Sequence, residues 1–210
     1  VHVDALGADL LTVVGHKMYA PKGIAALYIR DGIPLEPLVP GGGQERGLRA
    51  GTENVALTVA LGAAAELAAA ALAAGETDRL RDLRDTLHEA LTTRLPGRVH
   101  LNGVRSSRLP NTLNVSIDGE AGDRFLARAT QVAASTGSAC HSDRTDPSPV
   151  LTAMGVDQTR ALCAVRLSVG RWTTHSAVAE AAGLLAEAAS RLSPRWPLGR
   201  RSSLGPPGHA

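Results

Sequence analysis

The chain has few aromatic residues: Phe, Tyr and Trp together make up 2% of its 210 residues. That leaves no stacking platform for nucleic-acid bases. The formal charge of +2, from 22 basic and 20 acidic side chains, gives no electrostatic case for nucleic acid or a membrane surface as a partner. Cysteine is equally scarce. Two of them, Cys140 and Cys163, do not build a disulfide framework, so a reducing, cytoplasmic setting is expected. No second Cys or His pair stands at ligand spacing, so no metal site is expected. No apolar run approaches the ~20 residues that cross a bilayer, and the N-terminus carries no secretory apolar segment. Apolar residues are plentiful, at 44% with alanine foremost, and suffice for a real core. The first residue is Val1 rather than Met, so an alternative start codon or a fragment of a longer chain is expected.

The stretch Val13-Val14-Gly15-His16-Lys17-Met18-Tyr19-Ala20-Pro21-Lys22-Gly23 is the centre of the reading. The apolar run Leu10 to Val14 predicts a buried strand, and Ile24 to Ile29 predicts a second. A lysine held between two buried strands is unusual, because burial disfavours its charge. Such an amine can form a Schiff base with an aldehyde, and pyridoxal phosphate is the aldehyde most often bound this way. A solvated loop lysine explains the same residue equally well.

Residues 31 to 51 form a long loop with Gly41-Gly42-Gly43, Arg46 and Arg49, which reads as a flexible linker or as an anion cradle. Thr52 is a suitable N-cap for a helix from Val55 to Ala74. That helix is apolar nearly all round and should be buried between layers. Leu80, Leu83, Leu87, Leu91 and Leu95 share one face of a second helix over 77–95, whose charged faces read as solvated. Short strands are expected at Val99 to Leu101, Thr112 to Ile117, Val132 to Ser135 and Val165 to Val169. Short helices are expected through Phe125, from Pro149 and from Gln158. Thr174 should open the last helix, and residues from Ser193 on read as a disordered tail.

Two further side chains carry candidate chemistry. Cys140 lies on a polar loop, where its thiolate is a candidate nucleophile helped by His141 or Arg144; Cys163, between Leu162 and Ala164, reads as a packed core cysteine. A papain-like pairing of Cys140 and His141 lacks a third group to orient the base. Arg166 stands in an apolar strand, where its guanidinium can hold a substrate carboxylate or an internal salt bridge.

Five motifs occur in order: Val14-Gly15-His16-Lys17-Met18-Tyr19-Ala20-Pro21-Lys22-Gly23, Arg49-Ala50-Gly51-Thr52-Glu53-Asn54, Leu109-Pro110-Asn111-Thr112, Ser135-Thr136-Gly137-Ser138-Ala139-Cys140 and Val165-Arg166-Leu167-Ser168-Val169-Gly170-Arg171. Together they resemble the cysteine desulfurase and selenocysteine lyase group of pyridoxal-phosphate enzymes, of the class V aminotransferase type. Gly42-Gly43-Gln44-Glu45-Arg46 and Cys140-His141-Ser142-Asp143 are most similar to the selenocysteine lyases.

The resemblance implies an α/β protein of PLP-dependent transferase fold type I. It would be truncated at its N-terminus, with 1–75 the last part of a large domain, 76–192 a small α+β domain and 193–210 a tail. It implies pyridoxal 5'-phosphate as cofactor, held by Lys17 with His16 beside it and Thr52 reaching the phosphate across a homodimer interface. It further implies Arg166 on the substrate carboxylate and Cys140 as the mobile thiol. The implied reaction removes selenium from selenocysteine to leave alanine. Cysteine desulfuration to a Cys140 persulfide for a sulfur or selenium acceptor protein is the alternative, and an inactive dimerising or sulfur-relay module is another. Many desulfurases have a hydroxyl residue where Val14 stands. The family's N-terminal phosphate loop, pyridine-binding aspartate and stacking histidine have no counterpart in these residues, so weak cofactor retention is expected.

Overall fold

The computed structural model describes residues 2–137 and 146–191. The chain divides after Glu76 into two compact units.

The first unit is built on a hairpin. A short helix α1 (Val3–Leu6) closes on left-handed Gly7. Strand β1 (Leu10–Val14) then pairs antiparallel with β2 (Ala25–Ile29), placing Leu10 opposite Ile29 and Val14 opposite Ala25. Arg30 ties the two approaches together. It donates to Asp9 Oδ1 at 3.1 Å, Asp4 Oδ1 at 3.2 Å and the Ala8 carbonyl at 2.9 Å. A long loop with a 3-10 turn at Gln44–Gly47 leads to helix α2 (Val55–Ala73).

Three expectations are corrected here. The strands are not buried: Leu10 and Leu27 are exposed, because the hairpin has no second layer over it among the described residues. The helix cap is Asn54, not Thr52. Its side-chain oxygen accepts from the Leu57 amide at 3.1 Å, satisfying a donor that the first turn leaves open. Finally, α2 is largely exposed, with Ala64 its one buried residue. It is also long and apolar enough to cross a membrane by length and composition, contrary to the count of apolar runs. Thr58, Gly62 and Glu66 break the run in sequence but add a single charge to the helix.

The second unit holds a true core. Helix α3 (Glu76–Arg94) buries Leu83, Leu87 and Leu91. Strands β3 (Val99–Leu101), β4 (Thr112–Ile117) and β5 (Ala164–Ser168) form an antiparallel sheet in the order β3-β4-β5. Period-two alternation sends Leu113, Val115, Ile117, Val165 and Leu167 to one face. There they meet α3, Phe125 of α4 (Gly122–Arg128), and Val178, Ala182, Leu185 and Ala189 of α7 (His175–Ser190). Thr174 caps α7, its hydroxyl accepting from the Ala177 amide at 3.1 Å.

The opposite sheet face is partly covered by α5 (Pro149–Ala153) and α6 (Gln158–Leu162), through Leu151, Ala161 and Ala164. It is otherwise polar: Asn102 donates to Asn114 Oδ1 at 2.8 Å and Ser116 Oγ at 2.9 Å, and Arg160 donates to Asn102 Oδ1 at 3.1 Å.

Two more expectations change in this unit. Residues 132–135 form no strand; Ser135 makes only an isolated bridge to Arg166. The polar face of α3 is not wholly solvated. Arg79 donates to the carbonyls of Thr173, Gly170 and Arg171, and Arg84 is 4% exposed. The expected tail over 193–210 lies outside the described residues.

Candidate active site

The turn between β1 and β2 is set by backbone geometry. The Gly15 amide donates to the Ile24 carbonyl at 3.0 Å, and the Ala20 amide donates back to the Gly15 carbonyl at 3.1 Å. A Cβ on Gly15 would meet both Ile24 Cγ2 and the Ile24 carbonyl oxygen at 2.9 Å, so no larger residue fits without moving backbone. The 3-10 turn Gly15–Met18 then ends on Tyr19 in the left-handed region, at φ 69°. A bulky residue held there is costly and marks a turn fixed by its surroundings.

This turn presents His16 and Lys17 side by side, and both are exposed. Of the two readings of Lys17, the solvated one is what the structure shows, because the strands that flank it are themselves largely exposed. No hydrogen bond or ion pair engages either side chain among the described residues. A primary amine on a rigid turn, committed to no carboxylate, is available to an aldehyde.

The glycine-rich loop lies in the same unit. Glu45 and Arg46 are both left-handed, at φ 48° and 58°. Gln44 folds back so that its Oε1 accepts from the Gly51 amide at 3.3 Å, and Arg49 donates to the neighbouring Ala50 carbonyl. Thr52 follows, exposed, two residues before the α2 cap. Its hydroxyl makes no bond within the described chain and is open to an external acceptor.

Arg166 lies in the second unit, on β5. It pairs with Asn114 in register, and its amide donates to the Ser135 carbonyl at 2.6 Å. Its backbone is thus fixed from both sides, while its half-buried guanidinium forms no ion pair among the described residues. Cys140 lies outside the described residues. Cys163 is buried as expected, and burial first, with Asp118 second, pushes its thiol above the ordinary value of 9.0. That keeps it protonated and inert.

The structure thus sets Lys17, His16 and Thr52 in one unit and Arg166 in the other. Sequence reasoning gave no role to the Asn102, Asn114 and Ser116 network on the sheet face that carries Arg166. The polar residues alternating with apolar ones in Thr112-Leu113-Asn114-Val115-Ser116 were its signal.

Comparison with known proteins adds an independent line. The profile of the family described as aminotransferase class-V matches residues 1–180. Selenocysteine lyase of Rattus norvegicus is 48% identical over 188 residues, covering 85% of this chain and 43% of the relative. A cysteine desulfurase of Gluconacetobacter diazotrophicus is 49% identical over 173 residues, covering 81% of this chain and 42% of the relative. Among solved structures, a NifS-like protein superposes with a TM-score of 0.79 at 33% identity, over 90% of this chain and 48% of its own. The chain spans less than half the length of these relatives.

Proposed function

The chain belongs to the aminotransferase class-V family, and from that premise we propose that the protein carrying it is a pyridoxal-phosphate lyase that removes selenium from selenocysteine and leaves alanine. The uncommitted amine of Lys17 on its rigid turn is the observation that carries this reading. The donor set fits the cofactor: Lys17 would hold its aldehyde, His16 would lie beside its ring, and Thr52 would meet the phosphate of a partner subunit. When bound, pyridoxal phosphate supplies an electron sink for the charge released at the substrate Cα. Arg166 would grip the substrate carboxylate with two parallel N–H bonds, aligning the Cα–H bond for removal. The Lys17 amine, once released, would take that proton. The Cys140 thiolate would attack the chalcogen and form a bond to it, while the Cβ–chalcogen bond breaks with its electron pair left on Cβ, which takes a proton to become the methyl group of alanine. The cytoplasm suits a free catalytic thiol of this kind.

Cysteine desulfuration is the second reading. It is supported by the relative named cysteine desulfurase, as similar as the lyase at 49% against 48%. There Cys140 would take sulfur as a persulfide and pass it to an acceptor protein.

The test uses the homodimeric holoenzyme that contains this chain. Lys17→Ala should abolish the visible absorbance of bound cofactor and all turnover. An unchanged band would overturn the assignment of Lys17. Turnover of selenocysteine well above that of cysteine supports the lyase; equal rates overturn that label in favour of the desulfurase.

A further inference from the structure

Helix α3 and the β3–β4 loop border an open cleft of about 430 Å³ within the second unit. Arg84, His88 and Thr92, spaced four apart, line the helical wall. Arg105 and Arg108 line the loop wall, and Leu101 and Leu113 make an apolar floor.

The charges do not cancel. Arg84 is paired: its Nε and Nη2 donate to the Asp85 carboxylate at 2.9 and 3.0 Å, and its Nη1 donates to the Leu109 carbonyl at 2.9 Å. Arg108 spends Nε on the Val104 carbonyl at 2.9 Å and Nη2 on the Asn102 carbonyl at 2.8 Å, so neutral partners hold it and its charge is left over. Arg105 forms no hydrogen bond or ion pair among the described residues. Glu89 is the one remaining carboxylate in the lining, and it is exposed. With Arg84 and Asp85 cancelling, two arginines face one acid, and His88 can add a further positive charge. The positive field is felt within the cleft: after burial, Arg105 and Arg108 are what most hold His88 below its ordinary value.

We propose that this cleft binds the phosphate group of a phosphorylated small molecule, held by Arg105 and Arg108 with the rest of the ligand over Leu101 and Leu113. Guanidinium groups match phosphate oxygens in geometry and charge, and the Arg108 guanidinium, held by the Val104 and Asn102 carbonyls, is pre-arranged to receive them, with Arg105 exposed beside it. The volume falls in the range of small-molecule sites and exceeds what a bare phosphate fills, so an organic portion belongs on the floor. A bound dianion would offset the field on His88 and raise its pKa.

The experiment follows the His88 imidazole resonance of the full chain by NMR, assigned through His88→Gln. Inorganic phosphate and phenyl phosphate are titrated against sodium chloride at matched ionic strength. A saturable shift with phenyl phosphate, tighter than with inorganic phosphate and absent with chloride, is expected. Arg105→Ala should weaken binding about tenfold, as loss of one charge-assisted contact does. Its thermal midpoint should not change, because that guanidinium holds nothing in the fold. No saturable shift, a shift reproduced by chloride, or unaltered binding in Arg105→Ala overturns the site. Equal affinity for the two phosphates overturns the organic ligand.

Discussion

His88 lies half-buried on α3, and burial first, then Arg105 and Arg108, lower its pKa from the ordinary 6.5. The folded chain therefore takes up that proton less readily than the unfolded chain does. The stability linked to His88 is fully present above the unfolded value and is lost as pH falls through the folded one. Urea midpoints measured from about pH 7.5 down to about pH 5.5 should therefore fall more steeply for the wild type than for His88→Gln. Matching slopes would show that His88 is not perturbed. Single residues were unevenly legible in the sequence. Cys163 declared its burial through apolar neighbours on both sides. Lys17 did not declare its exposure, because burial at a turn depends on what packs over the flanking strands. Arg84 read as one more charge on a solvated face, and its 4% exposure follows from the β3–β4 loop folding over it to offer the Leu109 carbonyl.

Helices α3 and α2 are both 19 residues long, and opposite sequence features define them. In α3, leucines at three- and four-residue spacing face the sheet, so the sequence pattern alone yields both the helix and its buried side. Leu91 is 0% exposed, and Leu91→Ala should cost about 2–5 kcal/mol, as core truncations do. Chemical denaturation measures that loss directly. The same change at Leu80, which is only partly buried, should cost clearly less. In α2 no face differs from another, so the pattern gives the helix but not its orientation, and the expectation of a buried element failed. Its cap is ambiguous in sequence for a related reason: Thr52 and Asn54 are both good caps, and only the bond from the Leu57 amide in the folded chain decides between them. Sheet elements followed the same logic. Strands β4 and β5 alternate and were legible, whereas the 132–135 segment pairs only at Ser135, opposite Arg166, which an apolar run does not reveal.

At the scale of the whole molecule, the two units differ in how well they are covered. The second contains a continuous core of helix and sheet residues. The first exposes Val55, Val59, Leu67 and Leu72 along α2, and Leu10 and Leu27 on its hairpin. Exposed apolar surface of this extent favours association. Sedimentation velocity on the isolated chain should show a weight-average mass that rises with concentration. Replacing Val55, Val59 and Leu67 with Glu together should lower that rise. A mass independent of concentration would mean the helix is covered in solution by something within the chain. In a living cell, a greasy rod of this length is what chaperones and proteases patrol for. The lifetime of the polypeptide would then be set less by the folded core of its second unit than by how quickly α2 is hidden after synthesis.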